Sequence, residues 1–105
     1  MAVEELLTRP GLLLLVRGED PAAVADLRRE LGDLGTVTRV VRDDAAAGEL
    51  LDPDDVVGRE YGLRPEGLAL VRPDGYLGLV ADSADPGLLR GYLDDVLRVR
   101  RHSTV

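Results

Sequence analysis

The run Leu12-Leu13-Leu14-Leu15-Val16 constrains this chain more than any other feature. Five consecutive apolar residues leave no wet side. As a strand the run must be covered on both faces, the situation of a central parallel strand in an α/β sheet. It is also the longest apolar run in the sequence, far short of the roughly 18–20 residues needed to span a bilayer. A chain of 105 residues has room for one domain, because a single hydrophobic core usually serves about 100–150 residues.

Three helix starts share one grammar around this strand: Asp20-Pro21, Asp52-Pro53 and Asp85-Pro86. An Asp side chain can accept from the orphan N–H groups of a first helical turn, and Pro suits the first helical position because its missing N–H has no partner there anyway. After the first pair, Val24, Leu27, Leu31 and Leu34 recur at helical spacing, with Arg28, Arg29 and Glu30 on the other side and Gly32 and Gly35 as stop signals. After the second, Val56, Val57 and Tyr61 predict a short helix with those residues buried, ending at Gly62. After the third, Leu88, Leu89, Tyr92, Leu93, Val96 and Leu97 form a continuous apolar stripe. Thr36 to Arg42 is rich in β-branched residues but carries Arg39 and Arg42, as expected for a sheet edge with one wet side. Leu68–Val71 and Tyr76–Ala81 flank Arg72-Pro73-Asp74-Gly75. In that turn Pro presets φ at the first corner and Gly tolerates the positive φ that closes it, so the two runs predict an antiparallel hairpin.

The expected order is therefore βαβαββα, a right-handed parallel crossover followed by a hairpin in the same sheet. A four-stranded mixed sheet with helices on both faces is the thioredoxin-like α/β architecture. Residues 1–105 form one domain in this reading, with 1–9 as a lead-in and 99–105 as a flexible tail.

Composition narrows the functional classes. All thirteen basic residues are Arg, and the sequence has no Lys, Cys, Trp, Phe, Ile, Asn or Gln. That bias reflects a GC-rich genome and is no functional choice of Arg. The net charge of −7 argues against nucleic acid, whose phosphates call for a cationic face. Without Cys there is no disulfide, thiol redox chemistry or thiolate metal site. The start Met1-Ala2-Val3-Glu4-Glu5 is acidic where a signal peptide is basic, which predicts a cytoplasmic protein and no membrane partner.

Tyr61-Gly62-Leu63, then Leu68-Ala69-Leu70-Val71-Arg72-Pro73-Asp74-Gly75-Tyr76 and a Leu/Tyr-rich helix, resemble the C-terminal domain of the FAD-dependent aromatic-ring hydroxylases. These are flavoprotein monooxygenases that include polyketide-tailoring and phenol hydroxylases. Pro10 to Val16 is similar to the family's entry into that domain, so the resemblance spans roughly residues 6–98. It implies a thioredoxin-like domain that holds neither flavin nor catalytic groups. Its implied roles are packing against the flavin and substrate domains and, in some members, oligomer contacts. FAD would belong only to an upstream domain with its own glycine-rich βαβ motif, which this sequence lacks. The last strand carries Leu79-Val80 where the family often has a Trp-Arg pair, so contacts of that pair do not carry over. A redox-active thioredoxin has two cysteines at the first helix start, where this chain reads Arg17-Gly18-Glu19-Asp20-Pro21. The facing cis-proline position falls at or near Gly67, with Pro65 two residues early.

No catalytic, cofactor-binding or metal residues are assigned. His102, the single imidazole, sits in the basic tail, and with Ser83 and Ser103 the only serines no Ser/His/Asp constellation forms. Asp43-Asp44 and Asp52, Asp54 and Asp55 could bind a hard cation in principle, but the latter three open a helix, where acidic residues favour the dipole. Asp94-Asp95 read as a solvated helix face; Arg28-Arg29 and Arg98, Arg100 and Arg101 read as surface pairs and a soluble tail. Tyr61 and Tyr92 are expected in the core.

The feature singled out for interaction is the uncharged edge Tyr76, Leu77, Leu79 and Val80, beside the turn Arg72, Pro73, Asp74 and Gly75. Either the C-terminal helix shields it, or a partner chain or neighbouring domain does. Two functions compete. One is a non-catalytic structural, oligomerisation or docking domain, as a homodimer or against a flavin monooxygenase. The other is a stand-alone small-molecule-binding protein or enzyme of an aromatic or polyketide tailoring pathway that uses the domain cleft.

Overall fold

β1 (Leu12–Val16) lies in the middle of a five-stranded sheet, as its two-sided apolar character requires. It runs parallel to β2 (Gly35–Val41) on one side and antiparallel to β4 (Leu68–Val71) on the other. β3 (Leu50–Leu51) extends the sheet beyond β2, β5 (Leu77–Ala81) extends it beyond β4, and the order is β3-β2-β1-β4-β5. The protein is described from a computed structural model, which covers the backbone of residues 11–18, 20–43 and 49–103 and side chains as far as residue 95.

Among the described residues, three helices cover the two faces. α1 (Pro21–Leu31) and α3 (Pro86–Ser103) pack on one, where Leu14, Val16, Leu68 and Leu70 meet Leu27, Leu31, Leu89 and Leu93. α2 (Val56–Tyr61) covers the other, where Leu13, Leu15, Ala69 and Val71 meet Leu63 and the partly buried Val57 and Tyr61. Successive residues of β1 and β4 thus enter different cores, as the pleat dictates. Glu30 of α1 and Arg90 of α3 clasp the first pair of helices, with Arg90 Nε 3.1 Å from Glu30 Oε1. The hydrogen bond from Arg90 holds the Glu30 carboxyl below the usual carboxylate range.

Two helix starts follow the Asp-Pro grammar. Asp20 accepts from the Ala22 N–H at 3.0 Å, and Asp85 accepts from the Gly87 N–H at 2.9 Å. The third does not: Asp52-Pro53 begins a turn closed by Asp55 N–H to Asp52 C=O at 3.3 Å, and α2 starts only at Val56. The expected four strands become five because Leu50–Leu51 pairs in parallel with Val40–Val41. β2 is therefore internal rather than an edge. Arg39 is accommodated there because its Nε donates to Gly18 C=O at 2.8 Å and its Nη1 to Glu49 at 3.0 Å. Leu34 falls in a 3-10 turn, Gly32–Leu34, beyond the helix and is exposed. Val56 is exposed too, since the short α2 turns only Val57 and Tyr61 toward the sheet. The helical backbone of α3 continues through 99–103, residues assigned to a tail from sequence. The lead-in 1–9 lies outside the described residues.

Candidate functional site

Two regions carry the chemistry. The first is the β4–β5 hairpin. The Gly75 N–H donates to Arg72 C=O at 2.9 Å and the Arg72 N–H to Tyr76 C=O at 2.8 Å, leaving Pro73, Asp74 and Gly75 as a three-residue loop. Gly75 has φ +89°, the left-handed closing position this loop needs. Asp74 locks it twice, accepting from the Tyr76 N–H at 3.0 Å and from Arg72 Nη2 at 2.7 Å. Tyr76, expected to open the strand, closes the loop against Arg72 just before β5 and is exposed. Leu79 packs into the α1/α3 core, whereas Leu77 and Val80 point to the α2 side and remain 42% and 43% exposed. A register shift between Leu70 and Val71, which pair with Leu79 and Leu77, makes Gly78 the extra residue of a bulge. That bulge is why residues three apart share a face. The C-terminal helix thus shields one face of the edge strand and leaves the other open.

The second region is an ion network under α2. The Asp52 carboxylate, 4% exposed, accepts from the Val57 N–H at 3.2 Å and the Gly58 N–H at 3.1 Å, and lies 3.5 Å from Arg17 Nη2. It caps α2 from across the turn. Asp55 pairs with Arg17 Nη2 at 2.6 Å and faces Arg42 Nη2 at 3.8 Å. The hydrogen bond from Arg17 holds its carboxyl below the usual range, with Arg42 and Arg59 adding to the effect. Asp55 takes φ +57°, a left-handed conformation uncommon outside glycine. Gly58 fits closely beside it: a Cβ there would stand 3.0 Å from both Arg17 Nη atoms and overlap Asp55 Oδ1, so the ion pair would have to shift. Sequence reasoning missed Arg17. The signal available was one charged residue directly after a run buried on both faces.

A cleft of about 410 Å³ opens at the same end of the sheet, lined by Arg17, Gly18, Arg39, Val40, Val41, Arg42 and Asp43. A smaller one of about 250 Å³ lies at the start of α1, between Asp20, Ala23 and Val24 and the Glu66 and Ser83–Ala84 loops. Among the described residues, no group of three or more His, Cys, Asp or Glu is arranged to hold a metal ion. Of the weighed carboxylates, Asp52 and Asp55 serve the ion network, Asp43 lines the larger cleft, and Asp54 is exposed. Asp94 and Asp95 are exposed on α3. Arg29 pairs with Asp26 on the surface of α1. Asp44 and the side chains of Arg98, Arg100, Arg101, His102 and Ser103 lie outside the described residues. Tyr92 is half-buried on α3, its hydroxyl seated where a side chain on Gly78 would be. No helix among the described residues is long and apolar enough to cross a membrane.

No family model matches the chain. A 6-methylpretetramide 4-monooxygenase from Streptomyces rimosus is 39% identical over 77 residues, covering 72% of this chain and 14% of that protein. The crystal structure of a ternary complex of aklavinone-11 hydroxylase with FAD and aklavinone matches with a TM-score of 0.59 and 34% identity, over 79% of this chain and 16% of that one. One of these relatives is a monooxygenase and the other a hydroxylase solved with FAD and its aromatic ligand. The resemblance to the aromatic hydroxylases holds, and the matched part spans only 14% and 16% of the two relatives' lengths.

Proposed function

We propose that the chain is a non-catalytic, thioredoxin-like docking domain of an FAD-dependent aromatic-ring hydroxylase, acting in the cytoplasm. The observation that carries this reading is the extent of the matches, about three-quarters of this chain against 14% and 16% of two hydroxylases. In such an arrangement FAD and the aromatic substrate are held by the rest of the polypeptide. The order β2-β1-β4-β5, with helices on both faces, supports the thioredoxin-like assignment, and β3 is an addition at the edge. Cys is absent from the sequence, and the place of the redox pair, between Arg17 and Pro21, holds no other strong nucleophile.

The 410 Å³ cleft favours a second reading, a small-molecule site of an aromatic tailoring pathway. It ranks lower because Arg17, Arg39 and Arg42 all already face carboxylates of the chain itself. Titrating the chain with FAD and with polycyclic aromatic ligands, followed by flavin fluorescence and thermal shift, tests both readings. The docking domain shows neither a fluorescence change nor a shift. Stoichiometric FAD binding with NADPH-dependent turnover refutes it, and a shift with an aromatic ligand alone moves the assignment to the cleft.

A further inference from the structure

The turn between β4 and β5 holds the one Asp-Gly bond of the sequence, Asp74-Gly75. Such a bond has a reaction of its own. The Gly75 nitrogen can attack Asp74 Cγ: an N–Cγ bond forms, the nitrogen's proton and a carboxyl OH leave together as water, and a succinimide ring results. Water then opens the ring at either carbonyl. One opening restores Asp74. The other yields isoaspartate, in which the main chain runs through Asp74 Cγ and the mass is unchanged. Glycine eases the attack, because no side chain shields its nitrogen and its backbone turns freely. The Asp74 side chain is also exposed to water.

We propose that Asp74 is a latent isoaspartate site which the hairpin holds shut, with Arg72 as its positioning residue. Every group the reaction needs is already committed. The Gly75 N–H donates to Arg72 C=O at 2.9 Å, so the proton of the attacking nitrogen is held. Asp74 Oδ1 accepts from the Tyr76 N–H at 3.0 Å and Oδ2 from Arg72 Nη2 at 2.7 Å, so neither oxygen is free to leave. Ring closure must break these contacts together before the reacting atoms can align. Asp82-Ser83, at the far end of β5, is built the other way. The Asp82 side chain is 89% exposed, and Arg64 Nε at 3.7 Å is too distant to pin it by a hydrogen bond. Serine shields its nitrogen more than glycine does, so in an unfolded chain Asp74 is the faster of the two. The fold thus guards the more reactive site and leaves the slower one open. The guard matters to the sheet, because isoaspartate adds a main-chain carbon to a three-residue loop whose length sets the register of β4 and β5. A slip there withdraws Leu79 from the α1/α3 core.

The site belongs to the hairpin and stands whether or not the chain docks on a hydroxylase. The 105-residue chain is aged at neutral pH, folded and in urea, and isoaspartate is measured at Asp74 and Asp82 separately. An aspartate-specific protease, which cuts before Asp but not before isoaspartate, followed by mass spectrometry resolves the two. In urea Asp74 should far outpace Asp82. In the folded chain that ratio is expected to fall at least about tenfold, since the reaction waits on opening of the turn. Arg72→Met keeps the aliphatic stem and removes the charged fork. It should speed ageing of folded Asp74 about threefold, leave Asp82 and the circular dichroism unchanged, and cost the Tyr76 amide hydrogen-exchange protection. Should that variant unfold, the wild-type ratio between folded chain and urea decides alone. A folded chain in which Asp74 keeps its full lead over Asp82, or a folded Arg72→Met variant that ages at the wild-type rate, overturns the inference.

Discussion

Replacing Asp52 by Ala probes the point on which the β3–α2 corner depends. The carboxylate does three things at once: it accepts from the Val57 and Gly58 N–H groups and lies close to Arg17, all in a buried setting. Ala leaves two backbone donors at the start of a short helix without their acceptor, each costing about 1–3 kcal/mol when buried. It also strips Arg17 of one of its two counter-charges, and breaking a buried ion pair typically costs about 3–5 kcal/mol. These losses overlap, because relaxation around one site relieves all of them together, and a total of about 3–5 kcal/mol is expected. For a domain with a stability of about 5–15 kcal/mol that is a large fraction, and the melting temperature should fall by on the order of 15–30 °C. Urea and thermal unfolding followed by circular dichroism measure it, with Asp54→Ala as the control. Asp54 is exposed two residues away, and its substitution should stay within about 0.5 kcal/mol. If Asp52→Ala costs under about 1 kcal/mol, or no more than the control, the cap-and-pair account of this corner is refuted.

Gly58→Ala would raise intrinsic helix propensity by about 1 kcal/mol, yet its Cβ meets Arg17 and Asp55, so a net destabilisation of about 1–3 kcal/mol is expected in urea titration. Gly75→Ala places a Cβ at φ +89° and should cost about 1–2 kcal/mol, whereas Gly75→Asn should cost less because Asn tolerates that region. Acid sensitivity follows from Asp55 and Glu30, whose carboxyls are held below their ordinary values by Arg17 and Arg90. The unfolded chain then takes up protons first, so their stabilisation is complete above the ordinary carboxylate value of about 4 and is lost as pH falls through the lower folded values. The urea midpoint should drop on acidification, and the Asp55→Asn/Glu30→Gln double variant should flatten that drop; a midpoint that rises on acidification contradicts the assignment.

Much of this fold can be read directly from residue types. A run apolar on both sides had to be central, an Asp-Pro pair before a periodic stripe had to cap a helix at Asp20 and Asp85, and Arg72-Pro73-Asp74-Gly75 had to turn. The same local grammar misled at Asp52-Pro53, where a long-range demand took over. Arg17, thirty-five residues away, draws Asp52 inward, and the helix can begin only after Asp55 has turned through its left-handed conformation. Likewise the arginines of β2 suggested a wet edge, because sequence does not reveal that Arg39 finds Gly18 and Glu49 or that two leucines will pair outside it. The bulge at Gly78 was legible only as a glycine in a strand. Its effect on which side chains point outward depends on the pairing with β4.

The alternation along β1 has a consequence for how this small molecule tolerates change. Leu14 and Leu15 are neighbours in the chain but belong to separate interiors, one roofed by α1 and α3 and the other by α2. The sheet is a partition: a side chain resized in one compartment is felt in the other only through the strands they share. Two populations of residues can therefore drift almost independently, provided the wall between them stays straight.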